Sequence, residues 1–371
     1  MGIGFQEEIL LDILSRLPML PLLRFKCVSK FWKTLISDPY FIMKHQSHHK
    51  NDLNSQKLLV VEDMTTFFSS SLSTVQLVED VQNLDCVSNI KPFDNCNIYG
   101  CCDGLVLLGF VNRYDKQLLL WNPSTRESTV LPHPEFTPGR TTFGLGYDAT
   151  SDGYMILKLD RGSDDIDLPA SYEILALKSG SWRKIRNFPT MVCPNTGYVL
   201  EIDPIDADHN MEPLAFLHGA FHWLGLSYGY SLVSFSSSDK VFREIPLLEP
   251  TEYSTYNMRE SDYGVSVLGG MICFYCTYCS WQMEGTFKLW VMKDYGVKES
   301  WTEVFTLQEA HLCSIVPKYR FADGEVLLCC RLNNRSVFRT SKGPFGLWPQ
   351  IDIYQEGIVY IESLISPKSL C

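Results

Sequence analysis

At 371 residues the chain has room for one small module and one large domain, or for three modest domains. With 45% apolar and 20% charged residues it has the balance of a soluble globular protein, and a net charge of −11 argues against nucleic acid or an anionic membrane as a main partner. The charge is uneven: the first fifty residues carry seven Lys/Arg against four Asp/Glu, which leaves about −14 on the rest.

The first 45 residues read as three or four short helices. Phe5, Ile9, Leu10, Ile13, Leu14 and Leu17 recur at helical spacing, with Glu7, Glu8, Asp12 and Arg16 between them. Pro18 and Pro21 break the chain, and Pro21 is placed to open the second helix. Ser29 is a cap for a third helix carrying Phe31, Trp32, Leu35 and Ile36, and Asp38 with Pro39 caps one more turn. A unit below ~40–50 residues rarely stabilises itself by burial alone. These helices must therefore pack on the rest of the chain or be covered by another protein.

His45 to Gln56 is polar and reads as a solvated linker, so His45, His48 and His49 are not expected to form a metal site. From about Ser55 onward the pattern changes to short alternating strands punctuated by Gly, Asn, Asp and Pro. One phrase recurs at Thr125–Leu131, Ser181–Ile185, Val241–Ile245 and Ser300–Val304, a period of about 55–60 residues that suits four-stranded propeller blades. Dividing the remaining chain by that period predicts a closed propeller of about six blades, the last joined to the first.

The thirteen cysteines are odd in number and scattered, as reduced core thiols are. Cys273, Cys276 and Cys279 have zinc-like spacing, but on a strand residues three apart face opposite sides. His218 and His222 belong to a strand or turn, not to one helical face. No nucleophile elbow, paired carboxylates or complete Ser/His/Asp set stands out, so no catalytic, cofactor or metal residues are assigned. The start MGIGFQEEIL has no targeting pattern, and cytoplasmic or nuclear residence without membrane contact is expected.

The N-terminal run EEILLDILSRLPMLPLLRFKCVSKFWKTLISDPYF closely resembles the F-box, the adaptor-binding motif of ubiquitin-ligase substrate receptors. The match runs through Glu8, Ile9, Ile13, Leu14, Leu17, Pro18, Leu22, Leu23, Arg24, Cys27, Val28, Ser29, Trp32, Leu35, Ile36, Asp38, Pro39 and Phe41. Phe5-Gln6 replaces the usual Leu-Pro opening, and Leu20-Pro21 replaces the usual Ser or Lys. Farther on, Cys101–Leu107, Leu120–Arg126, Phe143–Asp148, Asp152–Tyr154, Gly219–Leu224, Leu289–Val297 and Glu299–Trp301 look like the signature of the plant F-box-associated domain, covering most of 95–310. The chain is also similar to S-locus F-box proteins.

The resemblance implies a mainly β protein with a small N-terminal α module: an F-box at 1–45, a linker at 46–56 and a kelch-like β-propeller at 57–371. It further implies a substrate receptor that binds a Skp-type adaptor, and through it a cullin. Ile9, Leu10, Ile13, Leu14, Leu17, Pro18, Leu22, Phe25, Val28, Trp32, Leu35, Ile36 and Pro39 would face either that adaptor or the module's own core. The substrate would be a protein, with the acidic body favouring a basic one; a secreted ribonuclease is the target if the S-locus likeness governs. Candidate specificity elements are the acidic stretch with Asp160, Asp164, Asp165 and Asp167 and the turns at Asp203–Glu212 and Glu249–Tyr256. An adaptor-bound scaffold and an enzyme on a propeller are the other classes left open.

Overall fold

The computed structural model describes residues 3–50, 52–62, 66–72, 82–84, 95–111, 116–135, 141–160, 170–185, 193–194, 213–226, 230–247, 261–279, 284–310, 315–330, 337–340 and 356–371. Four helices come first: α1 (Ile3–Leu14), α2 (Met19–Lys26), α3 (Lys30–Ile36) and α4 (Pro39–His49). All the strands follow them. Among the described residues these form six antiparallel sheets.

Blade I holds β1 (Gln56–Glu62), β2 (Thr66–Ser71) and β3 (Gln82–Leu84), and blade II holds β4 (Asn95–Cys102), β5 (Leu105–Val111), β6 (Lys116–Asn122) and β7 (Glu127–Val130). Blade III comprises β8 (Thr141–Asp148), β9 (Gly153–Asp160), β10 (Ser171–Ala176) and β11 (Ser181–Lys184). Blade IV has five strands: β12 (Cys193–Pro194), β13 (Ala215–Leu217), β14 (Ala220–Leu226), β15 (Tyr230–Ser236) and β16 (Phe242–Ile245). Blade V is β17 (Ser261–Leu268), β18 (Met271–Cys279), β19 (Glu284–Met292) and β20 (Trp301–Ala310), and blade VI is β21 (Ile315–Arg320), β22 (Val326–Cys330) and β23 (Val337–Arg339). The last strand, β24 (Glu356–Ile361), returns to blade I and pairs with β1 from Gln56↔Ile361 to Val61↔Glu356. Five sheets thus carry at least four strands and the sixth carries three, against an expectation of about six blades of four.

The recurring phrase in the sequence proves to be the outermost strand of a blade: β7, β11, β16 and β20. Its tryptophan has a repeated task. Trp182 donates its indole N–H to the Pro132 carbonyl (3.0 Å), and Trp301 donates to that of Pro246 (2.9 Å), each stitching a blade to the exit of the one before. The buried Trp121 and Trp223 indoles have no such acceptor among the described residues, although a buried indole N–H usually finds one.

Six apolar clusters fill the six spaces between neighbouring sheets, including the space between blades VI and I, where Leu58, Val60, Leu327 and Cys329 meet. Sheet faces that would otherwise lie in water are therefore covered all round the ring. Close packing also explains Gly146 in the Phe143–Asp148 motif, because a Cβ there would strike the Phe216 and Phe221 rings of blade IV. Cys273 and Cys276, on one strand, face different interfaces, as their spacing predicts. Cys101 and Cys102 likewise part to opposite faces.

Asp160 is no loop acid. It ends β9, accepts from Ser171 (3.1 Å) and lies 2.8 Å from the buried Lys158 ammonium, which also reaches Glu173 at 3.4 Å. Asp164, Asp165, Asp167 and the stretches 203–212 and 249–256 lie outside the described residues. Lys158→Ala would strip Asp160 and Glu173 of the buried cation they share, leaving Glu173 only the exposed Lys184 at 3.9 Å. Urea unfolding should show a loss of about 3–5 kcal/mol, far more than any exposed ion pair gives.

Candidate adaptor-binding surface

The helical module is built by its caps. Ser29 accepts from the Trp32 N–H (3.3 Å) to start α3, and Asp38 accepts from the Tyr40 (2.9 Å) and Phe41 (3.4 Å) N–H groups to start α4. Pro18 occupies the cap of α2, so Pro21 is its third residue rather than its first. The N–H it lacks is still one that the first turn leaves unused. The fourth helix runs three turns, not one.

That length overturns the reading of 45–49 as solvated linker. His45 and His49 are buried, their rings tilted at 35° with centroids 4.3 Å apart, and His45 stacks on Phe41. His45 Nε2–H donates to the Leu17 carbonyl (3.0 Å), satisfying an acceptor just beyond α1. The next residues form a compact turn: Leu53–Ser55 is a 3-10 helix, and Ser55 Oγ lies 2.9 Å from His49 Nδ1. His48 is exposed.

Burial divides the thirteen candidate residues. Leu14, Leu22, Leu35 and Ile36 are buried and form the module's own core with Met19, Phe41 and Leu364, the last supplied by the far C-terminus. Leu10, Leu17, Phe25 and Trp32 are half-buried around it. Ile9, Ile13, Pro18, Val28 and Pro39 face solvent. Among the described residues eleven large apolar side chains are exposed, and seven of them are in this module: Ile9, Ile13, Leu20, Val28 (68%), Phe31, Tyr40 and Met43. Such a concentration is what an uncovered protein-binding surface looks like. The side chains of Phe5 and Gln6 lie outside the described residues.

Leu20, Phe31, Tyr40 and Met43 escaped the sequence reading. A signal existed for Phe31, since adjacent helical residues diverge by about 100° and only one of Phe31 and Trp32 can turn inward. Around this apolar surface Arg16, Arg24, Lys30 and Lys33 are exposed.

The signature phrases of blades II and III lie next to the module. Asp103 (φ 52°) and Gly104 (φ 81°) form the tight turn between β4 and β5. Tyr154 of blade III donates to the Asp103 carboxylate (3.1 Å). Asn122 is wholly buried at the end of β6, and its Oδ1 accepts from the Ser124 (2.8 Å) and Thr125 (3.3 Å) N–H groups, making the turn the sequence suggests. In blade IV, His222 Nδ1–H donates to the Ala215 carbonyl (3.3 Å), so its Nε2 accepts from the Tyr295 hydroxyl (2.6 Å), and burial pushes its pKa down to about 4. No group of three or more metal-ligating side chains occurs among the described residues, and none of their helices is long and apolar enough to cross a membrane.

These helices over a ring of blades define an F-box protein with a β-propeller. The F-box domain family matches residues 5–44, and the family described as the F-box associated beta propeller domain matches residues 54–366. The chain belongs to that F-box-associated family of plant F-box proteins. It is 25% identical to the F-box/kelch-repeat protein At3g23880 of Arabidopsis thaliana over 98% of this chain and 96% of the relative. It is 26% identical to F-box protein CPR1 of the same plant, over 81% of this chain and 72% of that one. Among solved structures, TolB from Acinetobacter baumannii superposes with a TM-score of 0.41 at 10% identity, over 77% of this chain and 66% of that one, too weakly to bear on function.

The buried His45 gives the module a pH dependence. Its pKa is pushed down to about 4, first by burial and then by the neighbouring His49. A base held below its unfolded value of 6.5 contributes stability that is present above pH 6.5 and is lost as pH falls toward 4. Helical circular dichroism should therefore melt at lower temperature as the pH goes from 7 to 4.5. His45→Gln, which keeps a donor for Leu17, should flatten that dependence; an unchanged slope would show that other groups set it.

Proposed function

We propose that the protein is the substrate-recognition subunit of a Skp–cullin–F-box ubiquitin ligase. The observation that carries this is the crowding of exposed apolar side chains onto four short helices whose core is already filled by their own residues and Leu364. A surface left over after the core is satisfied has binding as its use, and the F-box family supplies the partner: a Skp-type adaptor, and through it a cullin. Of the candidates, Ile9, Ile13, Pro18, Val28 and Pro39, with half-buried Leu10, Leu17, Phe25 and Trp32 at the margin, would meet the adaptor. Leu14, Leu22, Leu35 and Ile36 would hold the helices together.

The propeller would take a protein substrate. In blades II, III and V the first and second strands, and the third and fourth, are joined by turns at the end where β1 begins and β24 finishes, as are β13 to β14 and β15 to β16 in blade IV; this is the end the helices occupy. The links β5 to β6, β9 to β10, β14 to β15 and β18 to β19, and those from one blade to the next, leave from the other end. The substrate would be held at that end, and the acidic balance of the β region favours a basic one. The chain would perform no bond chemistry. Holding substrate near the ubiquitin-charged enzyme raises their effective concentration, and the rate follows from that proximity.

Truncating exposed anchors at an interface costs on the order of 1 kcal/mol or more each. Ile13→Ala with Val28→Ala should therefore weaken co-purification with the Skp adaptor by about tenfold or more while the helical dichroism stays intact. Leu14→Ala should lower helix stability itself, by about 2–5 kcal/mol. Full adaptor binding by a folded Ile13/Val28 double variant would refute the proposed surface. Cullin in the same precipitate separates a ligase subunit from a scaffold that stops at the adaptor.

A further inference from the structure

The ten residues after Ile361 leave the propeller and run under the helical module, and their contacts are unlike those of a loose end. Asn122 donates its side-chain amide to the carbonyls of Ser363 (2.8 Å) and Ile365 (2.8 Å) and reaches Ser363 Oγ at 3.3 Å. Because Asn122 Oδ1 is committed to the Ser124 and Thr125 N–H groups, the orientation of the amide is fixed and its donors can only point at the tail. The Ser363 N–H is in turn accepted by Ser124 Oγ (3.3 Å), and the Glu362 N–H by the Ser55 carbonyl (2.8 Å). Gly104 lies flat against the same stretch, where a Cβ would collide with the Ile361 carbonyl and the Ser363 side chain.

Beyond this clamp the side chains alternate between two bodies. Leu364 is 2% exposed inside the core of the helical module, while Ile365 and Leu370 join the cluster between blades II and III. Ile42 of α4 touches both clusters. The module is thus tied to the propeller twice, by the chain at 52–55 that leads from α4 into β1 and by a tail arriving more than 300 residues later in the sequence. One tie would let it pivot. Two ties separated in space, with a shared core residue, remove that freedom.

We infer that the tail Glu362–Leu370 is a strut that fixes the orientation of the helical module on the propeller, and that Asn122 is the positioning residue that holds it. Resting on the ligase reading above, this strut sets which part of a propeller-bound protein faces the ubiquitin-charged enzyme. Two phrases of the family signature, around Asp103-Gly104 and Trp121-Asn122-Pro123, then have a common purpose: they are the socket for the chain's own C-terminus. An acidic replacement at 122 tests this selectively. Asp keeps the acceptor oxygen that makes the 122–125 turn and replaces the donor with a second oxygen facing two carbonyls.

The test uses the full chain and its Asn122→Asp variant. Hydrogen exchange of the isolated proteins should show the amides of 362–370 exchanging about tenfold faster or more in the variant. The propeller strands should be unchanged, and small-angle scattering should broaden toward larger dimensions. In an assembled ligase at equal adaptor occupancy, self-ubiquitination should spread from a restricted set of this chain's lysines to a wider one, an effect that mere loss of stability would not produce. Ser124→Ala, which removes only the acceptor for the Ser363 N–H, gives the same readouts at smaller amplitude should the Asp variant not fold. Unaltered tail exchange, or faster exchange with unaltered scattering, overturns the strut. Failure of the wild-type chain to bind the Skp adaptor would overturn the ligase reading instead, while exchange and scattering would still decide the strut.

Discussion

The pairing of β1 with β24 is the constraint from which the rest of the molecule follows. A row of stacked sheets has two end faces, and each is as apolar as the faces buried between blades. Here Leu58 and Val60 of β1 face blade VI, while Leu59 and Val61 face blade II, and all four are buried. Only a strand that is central on both faces tolerates such a composition. The first blade borrows its remaining strand from the end of the chain, so closure waits for the last residues to arrive. The same event delivers residues 362–371 to the base of the helical module. Closing the ring and seating the helices are one structural act.

This arrangement explains how a module of under fifty residues stays folded. Its core is six of its own residues plus Leu364, and its second layer leans on blades II and III through Ile42. Burial that small segments lack on their own is supplied by the large domain. The helices are then free to leave Ile13, Val28 and Phe31 in water, because stability does not require those side chains. Separating residues that hold the helices from residues that are left exposed follows from the borrowed core.

Much of this architecture was legible in the residues. The caps Ser29 and Asp38, the change from helical to alternating pattern near residue 55, and the recurring outer strand each express a local rule that the chain obeys within a few residues. The opposed facing of Cys273 and Cys276 followed from strand geometry alone. What escaped was non-local or carried by ambivalent residue types. His45 and His49 read as solvated because imidazole is polar. With His45 stacked on Phe41 and His49 packed against His45, they behave as flat apolar fillers that make one hydrogen bond apiece, and α4 extends accordingly. Dividing length by period gave about six blades, and six sheets stand among the described residues, the sixth with three described strands.

Asn122 shows most directly where sequence reading stops. Its place after an apolar strand and before proline identifies a turn, and it does make that turn through its oxygen. The amide nitrogen on the same side chain has a separate partner more than two hundred residues away, which no local pattern reveals. Serine or aspartate would satisfy the turn equally well, since both offer an acceptor at this position. Only asparagine offers two donors in the same plane as the acceptor. The residue type is therefore explained by the tail and not by the turn, and a signature that looks like scaffold chemistry records a contact between blade II and the C-terminal tail.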